Sequence, residues 1–104
     1  MDAVRTQFIT DIFPLHTTFS LTDRYLQADL DEEIIFLDME SGEFLSLTGV
    51  ARECWLLLCD GATVGTIIGR LCLIYEVERY ECRAGVQSFL AELVSKHVVT
   101  AHRI

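Results

Sequence analysis

The amino-acid sequence predicts an α+β domain in which a three-stranded antiparallel β-meander is followed by a three-helix bundle. Between residues 24 and 48 the hydrophobic pattern is typical of strands, and after Thr48 its period changes to about 3.6 residues. The connections between the predicted strands are short, which favours antiparallel neighbours. The chain has 104 residues, of which 51% are hydrophobic. This is enough for one domain with its own core.

The three predicted strands follow one another closely. They are Arg24–Asp29, Ile34–Met39 and Glu43–Thr48. The second is rich in apolar, β-prone residues, as expected for a buried central strand. Acidic turn residues separate the first two strands, and Glu40-Ser41-Gly42 provides a turn before the third. The pattern therefore predicts a meander with the second strand in the middle.

Three amphipathic helices are predicted after the strands. Thr48 is expected to cap the first helix, Asp60-Gly61 to end it, and Thr63 to cap the second. The third is predicted over residues 78–97, although Gly85 in its middle costs about 1 kcal/mol relative to Ala. The predicted buried positions are Val50, Ala51, Cys54, Trp55 and Leu58, then Val64, Ile67, Ile68, Leu71, Cys72 and Tyr75, and finally Cys82, Val86, Phe89, Leu90 and Leu93. This order of strands and helices is winged-helix-like.

Residues 1–20 show no clean periodicity and contain the single proline, Pro14. We predict an N-terminal extension over 1–20 and a globular domain over 21–104. Charged and polar residues occupy the place where a secretory signal would have its apolar region, and no apolar run approaches the roughly 20 residues that span a bilayer. We therefore expect a cytoplasmic protein with reduced cysteines.

Charge and motif content narrow the possible functions. The chain has 8 Lys and Arg against 16 Asp and Glu, a formal charge of -8. This balance disfavours nucleic acids and anionic membrane surfaces as partners. The sequence has no metal-ligand spacing, no phosphate-binding glycine motif and no recognisable nucleophile with its base. We therefore expect no cofactor, no metal and no catalytic residue.

Two other classes of protein stay open at this point. A winged-helix transcription factor would need a basic recognition helix, and the third helix carries Glu78, Glu81 and Glu92 beside its three basic residues. An enzyme that acts on a peptide would have to use Cys54 or Cys59. Retained pathway activity after replacement of both cysteines by alanine would exclude the enzyme.

The third strand offers a binding edge. In a three-stranded meander the outer strands keep unpaired N–H and C=O groups, and Glu43–Thr48 lacks the proline and lysine that usually protect an edge. Either the N-terminal extension or a helix covers this edge, or a peptide adds to it as another strand. Proline at Leu45 or Ser46 would test the second interpretation. Only one of these two substitutions should be severe, because successive N–H groups point to opposite sides.

Several short motifs follow one another between about residues 23 and 99. They are Leu37-Asp38, Gly42-Glu43-Phe44, Leu47-Thr48-Gly49-Val50-Ala51, Cys54-Trp55-Leu56-Leu57-Leu58, Asp60-Gly61-Ala62-Thr63-Val64, Ile67, Leu71, Tyr75, Val86, Phe89-Leu90, Leu93 and Val98-Val99. Their order resembles the PqqD-like RiPP recognition elements, which bind leader peptides of ribosomally made, modified natural products.

The stretch LDMESGEFLSLTGVA is most similar to the stand-alone leader-binding proteins of lasso peptide pathways. This resemblance implies a non-catalytic protein that holds the leader and presents the precursor to a separate cysteine leader peptidase, before a cyclase closes the ring. A PqqD-type peptide chaperone for a radical SAM enzyme is the alternative.

The resemblance also implies a site, with the leader antiparallel to the third strand and beside the third helix. The peptide-binding residues carried over by position are Glu43, Phe44, Leu45, Ser46 and Leu47 on the strand, and Tyr80, Arg83, Ala84, Gln87, Leu90 and Val94 on the helix.

Overall fold

The protein is described by a computed structural model over residues 12–103. Its elements in chain order are β1 (Thr18–Leu21), β2 (Tyr25–Asp29), β3 (Glu33–Asp38), β4 (Phe44–Thr48), α1 (Gly49–Cys59), α2 (Val64–Tyr75), α3 (Arg79–Ser95) and β5 (Val99–His102). The predicted meander and the three helices that follow it are confirmed, with boundaries within two residues of those expected. No helix within these residues is long and apolar enough to cross a membrane.

Strands β2, β3 and β4 form an antiparallel sheet in that order. Alternate residues of β3 are buried, and the buried set includes Ile34 and Phe36. The ring of Phe36 packs edge-on against Trp55 of α1, with 4.8 Å between ring centroids. One face of the sheet therefore covers the helical core, and the other faces away from it.

The helix ends confirm one predicted cap and correct another. The hydroxyl of Thr63 accepts a hydrogen bond from the backbone N–H of Thr66 at 3.2 Å, as expected for an N-cap. Thr48 occupies the N-cap position of α1, but its side chain makes no capping hydrogen bond. Just after α3, His97 has a positive φ, and the N–H of Val98 bonds the carbonyl of Leu93.

A second sheet, of two strands, was not predicted. Strand β1 pairs antiparallel with β5, with Phe19 opposite Ala101. Residues 12–20 of the predicted extension thus contribute to the core, where Phe13 and Thr17 are also buried. The pairing joins segments about 80 residues apart, so no local turn signal could reveal it. Residues 1–11 lie outside the described part of the chain.

The predicted core is largely confirmed. Cys54, Trp55 and Leu58 of α1 and Val64, Ile67, Ile68 and Leu71 of α2 are buried, as are Val86, Leu90 and Leu93 of α3. Cys72, Cys82, Ala51 and Phe89 are half-buried against this core. Val50 and Tyr75, in contrast, are exposed, because they lie at the mouth of a cavity described below.

Candidate functional site

Strand β4 is an edge strand among the residues that the structure describes. Its partner is β3, with Leu45 opposite Phe36 and Leu47 opposite Ile34. The side chain of Leu47 is buried and that of Leu45 is half-buried against the core, whereas Phe44 and Ser46 are exposed. The inward residues fix β4 on the domain and leave its outer side available.

The hydrogen bonds of the turns reveal which backbone groups point outward. The N–H of Asp38 bonds the carbonyl of Glu43 at 2.9 Å, so Asp38 and Glu43 form a hydrogen-bonded pair. Hydrogen-bonded and non-hydrogen-bonded pairs alternate along an antiparallel ladder, so every second residue of β4 after Glu43 bonds β3. Leu45 and Leu47 therefore direct their N–H and C=O groups toward β3, and Phe44 and Ser46 direct theirs toward the free edge.

The start of β4 is held by an ion pair beneath the β3–β4 turn. Arg24 donates to both carboxylate oxygens of Asp38 at 3.0 Å, and the N–H of Glu40 donates to the same carboxylate at 2.9 Å. The hydrogen bond from Arg24 holds the pKa of the Asp38 carboxyl well below its usual range. This bidentate contact positions the turn that leads into β4.

We expect the Arg24–Asp38 pair to make folding stability depend on pH. Because the pKa of Asp38 is lower in the folded protein, its stabilising effect is complete above the unfolded-state value of about 3.9 and is lost as the pH falls below it. Asp38→Asn should lower Tm at pH 7, and the difference from wild type should shrink toward pH 2.

Thermal melts across this pH range measure the effect. Asp31→Asn, which makes the same change of charge in an exposed turn, is the control. A difference in Tm between wild type and Asp38→Asn that stays constant with pH would contradict this stabilising role of the Asp38 carboxylate.

An apolar cavity of about 290 Å³ opens beyond the carboxyl end of β4. It is walled by the first turns of α1, the end of α2 and the first half of α3, and its lining includes Val50, Cys54, Tyr75, Gly85 and Phe89. Its apolar lining suits a hydrophobic side chain.

A second, more polar cavity of about 190 Å³ lies at the other end of β4. Glu43, Phe44 and Leu45 line it together with Lys96 and His97 from the end of α3. Helix α3 and the residues just after it thus contribute to both cavities.

One face of α3 contributes to both cavities. Glu81, Gly85, Phe89 and Lys96 line the two cavities, and they share one face of α3 because they recur near the helical period. The only sequence signal for this face is Gly85, since a glycine inside a helix often has a packing or functional reason.

The helix residues predicted from the family resemblance occupy other positions on α3. Tyr80 is exposed, Arg83, Ala84 and Val94 are half-buried, and Gln87 and Leu90 are fully buried. The side-chain amide of Gln87 accepts from the N–H of Phe13 at 2.7 Å and donates to its carbonyl at 2.8 Å. In the described structure Gln87 therefore holds the N-terminal segment against α3.

Replacing Gln87 by alanine should destabilise the domain by about 1–3 kcal/mol, because both backbone groups of Phe13 would lose their partner in a buried site. Hydrogen exchange should increase most around Phe13. The matched variant Ser88→Ala changes the neighbouring exposed position of α3 and should have little effect. Equal stability of the two variants in urea melts would contradict this role of Gln87.

The two cysteine thiols of α1 are less acidic than a free thiol. Burial raises the pKa of the Cys54 thiol to about 12 and also raises that of Cys59. Both thiols are therefore protonated near neutral pH, which disfavours them as nucleophiles. Over the same residues, no cluster of three or more His, Cys, Asp or Glu side chains could hold a metal ion.

Comparison with known proteins assigns the family. The model of the family described as coenzyme PQQ synthesis protein D (PqqD) matches residues 33–99, which is more than half of the chain. The chain belongs to the PqqD family. No curated protein sequence matches it significantly.

Two solved structures share the PqqD-family fold of this chain. One is TbiB1 in complex with the TbiA(beta) leader peptide, with a TM-score of 0.70 and 26% identity over 77% of this chain and 93% of the other. The second is lasso peptide synthetase B1 complexed with the leader peptide, with a TM-score of 0.72 and 26% identity over 79% and 96%. These similarities confirm the α+β fold and the resemblance to PqqD-like RiPP recognition elements.

Proposed function

We propose that this protein binds the leader region of a ribosomally synthesised precursor peptide as an additional strand on the outer edge of β4. The free edge at Phe44 and Ser46 carries the proposal, because these residues offer two N–H and two C=O groups to an incoming backbone. The apolar cavity beside Gly85 would take a hydrophobic side chain of the leader. The two solved structures of similar fold, each in complex with a leader peptide, support leader binding.

The strand wall of the site comprises Glu43 to Leu47, as predicted from the family resemblance. Leu45 and Leu47 pack inward, and Phe44 and Ser46 pair with the peptide. On α3 we assign the face with Glu81, Gly85 and Phe89, because Gln87 and Leu90 are enclosed in the core. An antiparallel leader would enter near the apolar cavity and leave near the polar one.

The protein performs no chemistry on the peptide in this proposal. It delivers the bound precursor in the cytoplasm to a separate cysteine leader peptidase, and a cyclase then closes the ring of a lasso peptide. The high pKa values of the Cys54 and Cys82 thiols, about 12 and about 11, fit a binding role rather than covalent catalysis.

A PqqD-type chaperone for a radical SAM enzyme is the second candidate, and the match to the PqqD family model favours it. Both candidates require leader binding and differ in the enzyme that receives the peptide. Co-purification with the leader peptidase or with a radical SAM enzyme of the same pathway distinguishes them.

Fluorescence anisotropy with a labelled synthetic leader tests the proposal. Saturable binding that is lost when the apolar anchor side chains of the leader are replaced by serine is the expected result. Absence of binding at tens of micromolar would contradict it and would favour a protein scaffold or a winged-helix DNA-binding protein.

A further inference from the structure

Two of the four cysteines lie next to each other where α2 packs against α3. Cys72 is in the last turn of α2 and Cys82 is in the first turn of α3, and both are half-buried against the core. The thiol of Cys82 donates to the carbonyl of Ile68 at 3.6 Å. This carbonyl lies one helical turn before Cys72, so Cys82 is seated on the surface of α2 that carries Cys72. A side-chain hydrogen bond also joins the two thiols.

Both cysteines are free thiols in the described structure. Burial, together with the hydrogen bond from Cys72, raises the pKa of the Cys82 thiol to about 11. Cys82 is therefore protonated near neutral pH and by itself reacts slowly with small oxidants. Contact with Cys72 offsets this low reactivity, because two groups that are held together react as an intramolecular pair.

The pair of thiols borders the apolar cavity. Cys82 lines the cavity directly. Leu71 and Tyr75, which are neighbours of Cys72 on α2, line it as well. A disulfide holds its two sulfurs about 2.05 Å apart, which is much closer than two thiols in contact. A bond between the thiols would therefore draw the end of α2 toward the start of α3 and narrow the cavity between them.

We propose that Cys72 and Cys82 form a reversible disulfide that narrows the apolar cavity and weakens leader binding when a peroxide is present. The effect on the leader rests on the proposed function. In the reaction with hydrogen peroxide both thiols lose their protons, an S–S bond forms, and the O–O bond breaks to give two molecules of water. The sulfurs lose two electrons in total and the peroxide gains them. A dithiol restores both cysteines by exchange and is itself oxidised to a disulfide.

Tryptic mapping of the full-length protein tests the bond itself. Cleavage after arginine places Cys72 in peptide 71–79, Cys82 in peptide 80–83 and the other two cysteines in peptide 53–70. After treatment with hydrogen peroxide, peptides 71–79 and 80–83 should be joined, with a mass about 2 Da below that of the two thiol peptides together, because two hydrogens are lost. A link to peptide 53–70, or peptides 71–79 and 80–83 that stay separate, would overturn the proposal.

Leader anisotropy tests the effect of the disulfide on binding. The oxidised wild-type protein should bind leader about five- to tenfold more weakly than the reduced protein, because part of the site for an apolar side chain is lost. Dithiothreitol should restore the affinity. Cys72→Ala cannot form the bond and should bind leader equally well with and without peroxide. Cys59→Ala removes an exposed thiol of α1 and is the matched control, which should respond to peroxide as wild type does.

The two measurements separate the disulfide from the proposed function. A disulfide that forms but leaves leader affinity unchanged would overturn its regulatory role. Loss of affinity in peroxide-treated Cys72→Ala would also overturn that role, because oxidation of another residue would then be the cause. Failure of the reduced wild-type protein to bind leader would overturn the proposed function, whereas the peptide map tests the disulfide without any leader.

Discussion

Replacing Ser46 by proline should lower leader affinity by about 10- to 100-fold and leave the domain folded. The N–H of Ser46 points to the free edge of β4, so proline removes a donor that the leader needs and not one that β3 uses. The loss of one or two interstrand hydrogen bonds, with the steric effect of the ring, is worth about 1.4–2.7 kcal/mol. Anisotropy measures the affinity, and circular dichroism melts measure the fold.

Two matched variants isolate the backbone effect. The Ser46 hydroxyl donates a hydrogen bond to the Glu33 carboxylate, and Ser46→Ala removes this bond while keeping the N–H. It should bind leader nearly as well as wild type. Leu45→Pro removes an N–H that pairs with β3 and should destabilise the sheet itself. Normal leader affinity in folded Ser46→Pro would contradict strand addition at this edge.

A larger side chain at Gly85 of α3, which would fill the apolar cavity, should also lower leader affinity. A Cβ at Gly85 would meet no heavy atom within 4 Å, and Gly85 lines the cavity, so Gly85→Leu places its side chain in space that is open in the free protein. We expect leader affinity to fall about tenfold, because a buried apolar side chain of the leader contributes about 1.5–3 kcal/mol and would lose part of its site.

Gly85→Ala is the control for the helix. Alanine has the higher helix propensity, so this variant should be more stable than wild type by about 0.5–1 kcal/mol and should bind leader almost normally. Urea melts give the stability of both variants. Equal leader affinity for Gly85→Leu and Gly85→Ala would show that the cavity takes no part in binding.

The sequence predicted the fold well because its determinants are local. The change of hydrophobic period after Thr48 and the cap at Thr63 require only neighbouring residues. The pairing of β1 with β5 depends on contacts between the two ends of the described chain, and the segments are only four residues long. Their local patterns are too short to indicate a partner.

The candidate site follows from the sequence only in part. An edge strand follows from strand order alone, so β4 and its free side could be expected. The face of α3 that lines the two cavities depends on how the helix is rotated against the core, which no local pattern determines. The family resemblance placed Gln87 in the peptide-binding set, whereas its side-chain amide bonds the buried backbone of Phe13.

Amide hydrogen exchange by NMR, with and without the leader, tests strand addition most directly. If the leader adds as a strand, saturating leader should slow exchange at the N–H groups of Phe44 and Ser46, which point outward. Those of Leu45 and Leu47 should change little, because they already bond β3. Saturated binding without added protection at Phe44 and Ser46 would contradict strand addition at β4 and would place the leader elsewhere on the domain.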